Sequence, residues 1–246
     1  MYICNMRKFI TIVLLLSLGN MLYAQHKDLD MFMQEYGMVN IQMIDNDILV
    51  NLKYSTTDNF VGQDMYGDLQ EAYLEREFAN RVAKAQSILK EYNPNYTLLI
   101  YDAARPISVQ RAMRQCVEGT SLERFVADDT RGGRHNYGVA VDLTIATLDG
   151  TPLDMGAGFD DFTEAASVKG TADTSDASTR TPEVYRHYIN NLAKRGIISY
   201  QAAQNRILLI EVMHKAGLYP YRREWWHYED IMPMDSVRIK YKLLDF

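Results

Sequence analysis

RHNYGVAVDLT, residues 134–144, decides how the rest of this chain is read. His135 and Asp142 stand seven positions apart, and the run 139–145 (VAVDLTI) has the β-rich composition of a buried strand. A carboxylate inside such a run is costly unless it is paired or bound to a metal. Seven extended residues span ~23 Å, whereas two ligands of one ion lie within a few ångströms of each other. Shared ligation therefore requires the chain to bend between them, which Gly138 permits. Spacing alone leaves two readings open: a metal-binding pair, or a solvent-facing Asp on an edge strand beside an unrelated loop histidine.

Working outward, 96–101 (YTLLIY) predicts a second buried strand, and 41–54 (IQMIDNDILVNLKY) mixes apolar and polar positions as a further strand does. In 70–92 the spacing of Ala72, Leu74, Phe78, Val82, Ala85, Ile88 and Leu89 predicts one buried helix face, stopped by Asn93-Pro94-Asn95. Helices are expected over 107–116, 183–195 and 199–216, and a closing strand over 223–229 (REWWHYE). Residues 156–180, rich in Gly, Asp, Thr, Ser and Ala, read as one long loop of the kind that often carries function. Strands and helices intermingle without regular βαβ alternation. The fold expected is α+β, a single compact domain with a central antiparallel sheet flanked by helices.

Three more segments bear chemical groups. Glu224-Trp225-Trp226-His227 offers a third ligand in His227 and a carboxylate, Glu224, able to take a proton from water, as a zinc hydrolase needs. The same segment also reads as a strand with core Trp residues and polar residues facing water. Glu211 and His214 repeat the Glu-x-x-His spacing, but near a helix end, where the imidazole complements the negative terminus; that pair reads as structural. Asp102-Ala103-Ala104-Arg105-Pro106 follows the YTLLIY strand, and Arg105 either points into a cleft to meet an oxyanion or lies on a surface turn. Of the remaining histidines, His26 reads as solvent-exposed and His187 sits in a polar helix.

The formal charge of −6, with 47% hydrophobic and 24% charged residues in 246, describes a globular protein and gives no reason to expect a nucleic-acid partner. Arg7 and Lys8, an apolar stretch over 9–18 and Leu22-Tyr23-Ala24 have the layout of a secretory signal peptide spanning 1–24. The apolar stretch is shorter than the ~20 residues of a spanning helix, so no stable membrane span is expected after cleavage. Cleavage would remove Cys4 and leave Cys116 alone, without an internal disulfide. The expected product is a secreted or periplasmic domain, 25–246, whose metal is held by His and carboxylates.

Taken together, these segments resemble the VanX-type D-alanyl-D-alanine dipeptidases, within the zinc D,D-peptidases of hedgehog-like fold. The resemblance runs in order through KYSTTDNFVG (53–62), YDAARP (101–106), RHNYGVAVDLT (134–144), DMGAGFDDF (154–162), Asn205-Arg206 and EWWHY (224–228). It implies one zinc per chain on His135, Asp142 and His227, with Glu224 as general base and Arg105 stabilising the transition state. It also implies that Tyr54 and Asp160 hold a small dipeptide substrate, Asp160 near its ammonium. Two positions depart from the family: Gly133 stands where a Ser is frequent, and Tyr137 where a basic residue is common. Both put the substrate, rather than the reaction, in question. The rival readings are a D,D-carboxypeptidase trimming peptidoglycan stems and a binding protein that keeps the zinc fold without catalysis.

Overall fold

Two strands with almost no polar surface set the frame. β4 (Tyr96–Asp102) and β5 (Ala140–Thr147) are buried along nearly their whole length and pair antiparallel from Tyr96↔Thr147 to Asp102↔Asp142, with a register irregularity between Ile100 and Asp102. These features come from a computed structural model, which describes residues 29–127, 129–168 and 180–246. The expected signal peptide and His26 lie outside them, as does most of the second half of the long loop.

The remaining strands are short: β1 (Val39–Asn40), β2 (Leu49–Val50), β3 (Tyr73–Leu74), β6 (Tyr219–Pro220) and β7 (His227–Glu229). The main sheet runs β2-β4-β5-β7-β6. Its β4-β5, β5-β7 and β7-β6 pairings are antiparallel, as expected, whereas β2 joins the edge in parallel. β1 and β3 form a separate antiparallel pair.

The described helices are α1 (Leu29–Glu35), α2 (Arg76–Tyr92), α3 (Ile107–Val117), α4 (Pro182–Lys194), α5 (Tyr200–Lys215) and α6 (Met234–Lys240), of which α2 packs on β4 and α5 on β5 and β6. α2 starts where the Glu75 carboxylate accepts the Phe78 N–H, and it buries Phe78, Ala79, Val82, Ala85 and Leu89 on one face, against β4 and α5. Full burial of each larger side chain of this kind is worth roughly 1.5–3 kcal/mol. α4 and α5 pack on each other across the tight turn at Gly196. None of the described helices is long and apolar enough to cross a membrane.

Three boundaries differ from the sequence expectation. Residues 41–54 are not one strand. Asn40 caps a 3-10 turn at Ile41–Met43, only Leu49–Val50 pairs, and Lys53–Ser55 is another 3-10 turn. Ala72 and Leu74 precede α2, Leu74 pairing with Val39 instead. In 223–229 only His227–Glu229 is strand; Glu224, Trp225 and Trp226 lie in the turn before it.

Candidate active site

The bend required between His135 and Asp142 is a 3-10 turn, Arg134–Tyr137, closed by Gly138 at φ +69°. A Cβ on Gly138 would stand 2.5 Å from Met38 Sδ and 2.9 Å from the Glu75 nitrogen, so both backbone angle and space demand glycine. The turn delivers His135 to the end of β5, where Asp142 pairs across the ladder with His227 of β7. His135 Nε2 lies 3.1 Å from His227 Nδ1 and 3.4 Å from Asp142 Oδ1, and His227 Nδ1 lies 2.9 Å from the same oxygen. Four ligands on zinc bonds of 2.0–2.1 Å stand roughly 3.3 Å apart, so the triangle has the size of one face of a metal tetrahedron.

The second nitrogen of each ring is already engaged. His135 Nδ1 donates to the Ala103 carbonyl at 2.7 Å, and His227 Nε2 faces Glu229 Oε2 at 3.4 Å. Both contacts can keep a proton on the outer nitrogen, so that the inward one becomes a lone-pair donor when it gives up its own proton to a metal, the usual way an imidazole ligand is oriented. Glu229 is itself held by Arg134 and Arg180, each at 3.0 Å. Burial opposes charge on Asp142, yet His135 and His227 hold its pKa below the ordinary carboxylate range. Burial likewise opposes a charged His227, but hydrogen bonds to Asp142 and Glu229 raise it to about 10. A centre that so favours positive charge, built from two imidazoles and a carboxylate, fits a divalent metal ion of the zinc type. Among the described residues, His135, Asp142 and His227 form the only such group of three.

Glu224 hangs over this centre, with Oε2 4.0 Å from His227 Nδ1. Its turn is anchored by its neighbours: the Trp225 indole N–H donates to the Ala157 carbonyl at 3.1 Å, and Trp226 packs on Phe159 and Phe162. Burial pushes Glu224 up to about 7, a value suited to a group that takes and returns a proton near neutrality. Arg105 approaches from the end of β4. Its backbone N–H donates to the His135 carbonyl at 3.0 Å, while Nε and Nη2 bond Asp102 and Nη1 bonds Gln110 at 2.9 Å. Asp102 also accepts the Tyr66 hydroxyl at 2.6 Å. Burial works against the guanidinium, but Asp102 outweighs it and keeps Arg105 cationic.

Asp160 occupies another part of the same cavity, in a left-handed conformation (φ +60°) unusual for a residue with a side chain. Its carboxylate accepts the Tyr54 hydroxyl at 3.1 and 3.2 Å and the Phe60 N–H at 3.2 Å. Burial raises its pKa to about 8 despite these bonds. The cavity measures about 430 Å³ and is walled by Phe60, Phe125, Phe162 and Trp226. That is the small end of the range for ligand pockets.

All seven residues marked by the sequence therefore converge: His135, Asp142, His227, Glu224, Arg105, Tyr54 and Asp160 line one cavity. The decoy pair does not join them; Glu211 bonds Arg186 and His214 packs edge-on against Tyr219. Gly133 lines the cavity, and a Cβ there would meet the Ala127 Cβ at 3.0 Å. Tyr137 is buried with its hydroxyl on the Arg131 carbonyl and does not line the cavity. Asp102, Gln110, Glu229 and Arg134 were not singled out by the sequence. Only Asp102 carried a signal, a carboxylate ending a buried strand three residues before Arg105.

Comparisons with known proteins point to one family. The family model Peptidase M15, described as D-ala-D-ala dipeptidase, matches residues 34–241. The chain is 30% identical over 192 residues to the D-alanyl-D-alanine dipeptidase of Escherichia coli (strain K12), covering 78% of this chain and 83% of that protein. It is 26% identical over 214 residues to the D-alanyl-D-alanine dipeptidase of Enterococcus faecium, covering 79% and 91%. A match to the enzyme of the same name from Synechocystis sp. is 25% identical over 177 residues, covering 60% of this chain and 65% of that protein. With a metal-sized ligand triangle beside a buried carboxylate and guanidinium, and a family match over most of its length, the chain belongs to the Peptidase M15 D-ala-D-ala dipeptidase family of metallopeptidases.

Proposed function

We propose that this protein hydrolyses the peptide bond of D-alanyl-D-alanine or a similar small D,D-dipeptide, using one zinc ion held by His135, Asp142 and His227. The observation that carries the reading is the sharing of one small cavity by the ligand triangle, Glu224 and the buried carboxylate of Asp160. When bound, zinc supplies Lewis acidity to the attacking water and to the scissile carbonyl. Glu224 Oε2 takes the proton from that water and returns it to the leaving amine as the C–N bond breaks. The Arg105 N–H groups not engaged by Asp102 and Gln110 donate to the oxyanion of the tetrahedral intermediate, a contribution of ~3 kcal/mol where such donors have been removed. Asp102 and Gln110 fix the guanidinium beforehand, so little ordering remains for the reaction itself.

Asp160 and Tyr54 receive the substrate's ammonium. Extending the peptide on that side converts the ammonium to a neutral amide and leaves Asp160 buried without a cation, which disfavours longer chains. The sequence layout of 1–24 supports action outside the cytoplasm, on dipeptides or released wall fragments. The test is hydrolysis of free D-alanyl-D-alanine against a stem pentapeptide, with the metal present and after chelation. Zinc-restored cleavage of the dipeptide alone is expected. Preferential cleavage of the pentapeptide would replace this reading with a D,D-carboxypeptidase.

A further inference from the structure

Arg206 lies on α5, only 1% exposed, and among the described residues it has no carboxylate partner. Burial pulls its pKa down to about 10, so the cation is kept at a cost that an apolar residue of similar volume would avoid. Its hydrogen bonds go to two backbone carbonyls: Nε donates to Met155, and Nη1 to Ser167 at 3.3 Å. Beside it, Asn205 Nδ2 donates to the Asp154 carbonyl at 2.8 Å. The guanidinium also lies 5.9 Å from the Trp225 ring centroid, which covers it.

Met155 and Ser167 are the two feet of one loop. Between them stand Phe159, which packs on Tyr54, Tyr101 and Trp226, Asp160 at φ +60°, and Phe162, which stacks on Phe125 at 4.4 Å. Among the described residues Arg206 is the side chain that bonds both feet of the loop displaying Asp160, whereas the Arg222 carbonyl, Trp225 and Asn205 each hold it at one end or point. We infer that Arg206 is a positioning residue: by clamping the carbonyls of Met155 and Ser167 it sets where the Asp160 carboxylate meets the substrate's amine. The inference rests on the reading that Asp160 receives that amine. It explains why a planar group with donors on several edges is used, since one nitrogen cannot serve the places of Nε and Nη1 together.

The experiment uses the zinc-loaded full chain and the ratio of kcat/KM for a free D,D-dipeptide to that for its N-acetylated form. Arg206→Met is expected to lower the ratio at least tenfold, mainly through a higher KM for the free dipeptide, with metal content unchanged. Hydrogen exchange should accelerate over 155–167. In an Asp160→Asn background the same substitution should leave the ratio unaltered, because its effect passes through Asp160. If Asp160→Asn alone keeps the wild-type ratio, the amine reading fails and the inference with it. If Asp160→Asn collapses the ratio while folded Arg206→Met retains it, the clamp is refuted and the amine reading stands. Should Arg206→Met not fold, Arg206→Lys decides: a loss of threefold or more supports the clamp, and a wild-type ratio overturns it.

Discussion

Lowering the pH from 8 to 6 should erase most of the enzyme's preference for a free amino terminus. Asp160 has a pKa raised to about 8 because it is buried, and it pairs with an ammonium only when ionised. The dipeptide's α-amino group titrates near 8 as well and must be protonated. At pH 8 roughly half of each population is in the productive form, about one quarter jointly. At pH 6 the amine is fully protonated but only about 1% of Asp160 is ionised. The productive fraction therefore falls about 25-fold, equivalent to ~1.9 kcal/mol. Glu224, at about 7, also protonates over this range, but it serves every substrate alike. Measuring kcat/KM for free and N-acetylated dipeptides from pH 5.5 to 9 and taking their ratio removes the Glu224 contribution. The ratio should peak near pH 8 and fall on both sides, on the acid side as Asp160 gains its proton and on the alkaline side as the amine loses one. A ratio that does not fall between pH 8 and 6 would refute the argument, because it would mean that no carboxyl with a pKa raised toward 8 governs reception of the amine.

Two further outcomes follow from the same geometry. Glu224→Ala should keep the metal and lose two to four orders of magnitude in kcat, while Glu211→Ala, which breaks only an exposed pair with Arg186, should stay within a factor of about two; equal losses in steady-state kinetics would count against Glu224 as the base. Glu229→Gln should weaken metal affinity ~10–100-fold through loss of the charge behind His227, read by chelator competition, with unaltered affinity counting against that role.

The parts of the site legible in the sequence were those with a local reason. Asp142 stood out as a charge in an apolar strand, Gly138 as the bend that had to follow His135, and Glu224 as a carboxylate three residues from an imidazole. Gln110 and Glu229 had no such local mark; they matter because of where α3 and β7 bring them, and pairing across strands is not written in neighbouring residues. The fold divides the same way. β4 and β5 are apolar enough to announce themselves, whereas 41–54 reads as a strand although only Leu49–Val50 finds a partner. Trp225 and Trp226 suggested a strand because burial on a strand and burial in a turn leave the same apolar letters; here the turn is buried by the loop around Phe159 and Phe162.

The ladder that runs Asp102, Asp142, His227 across β4, β5 and β7 also carries a consequence for how the molecule matures. His227 is 85 residues further along the chain than Asp142, on the last strand to join the sheet in chain order. No shorter segment owns the full ligand set, and slipping β7 by one position would turn His227 to the opposite side of the sheet. With the proposed ligand set, uptake of the ion would be a checkpoint on completed assembly: a chain that stalls before β7 docks holds His135 and Asp142 but not the third ligand. Metal held more tightly by the finished form than by its precursors would draw the population forward, by at most RT ln(1 + [metal]/Kd), about 2.7 kcal/mol at one hundred times Kd.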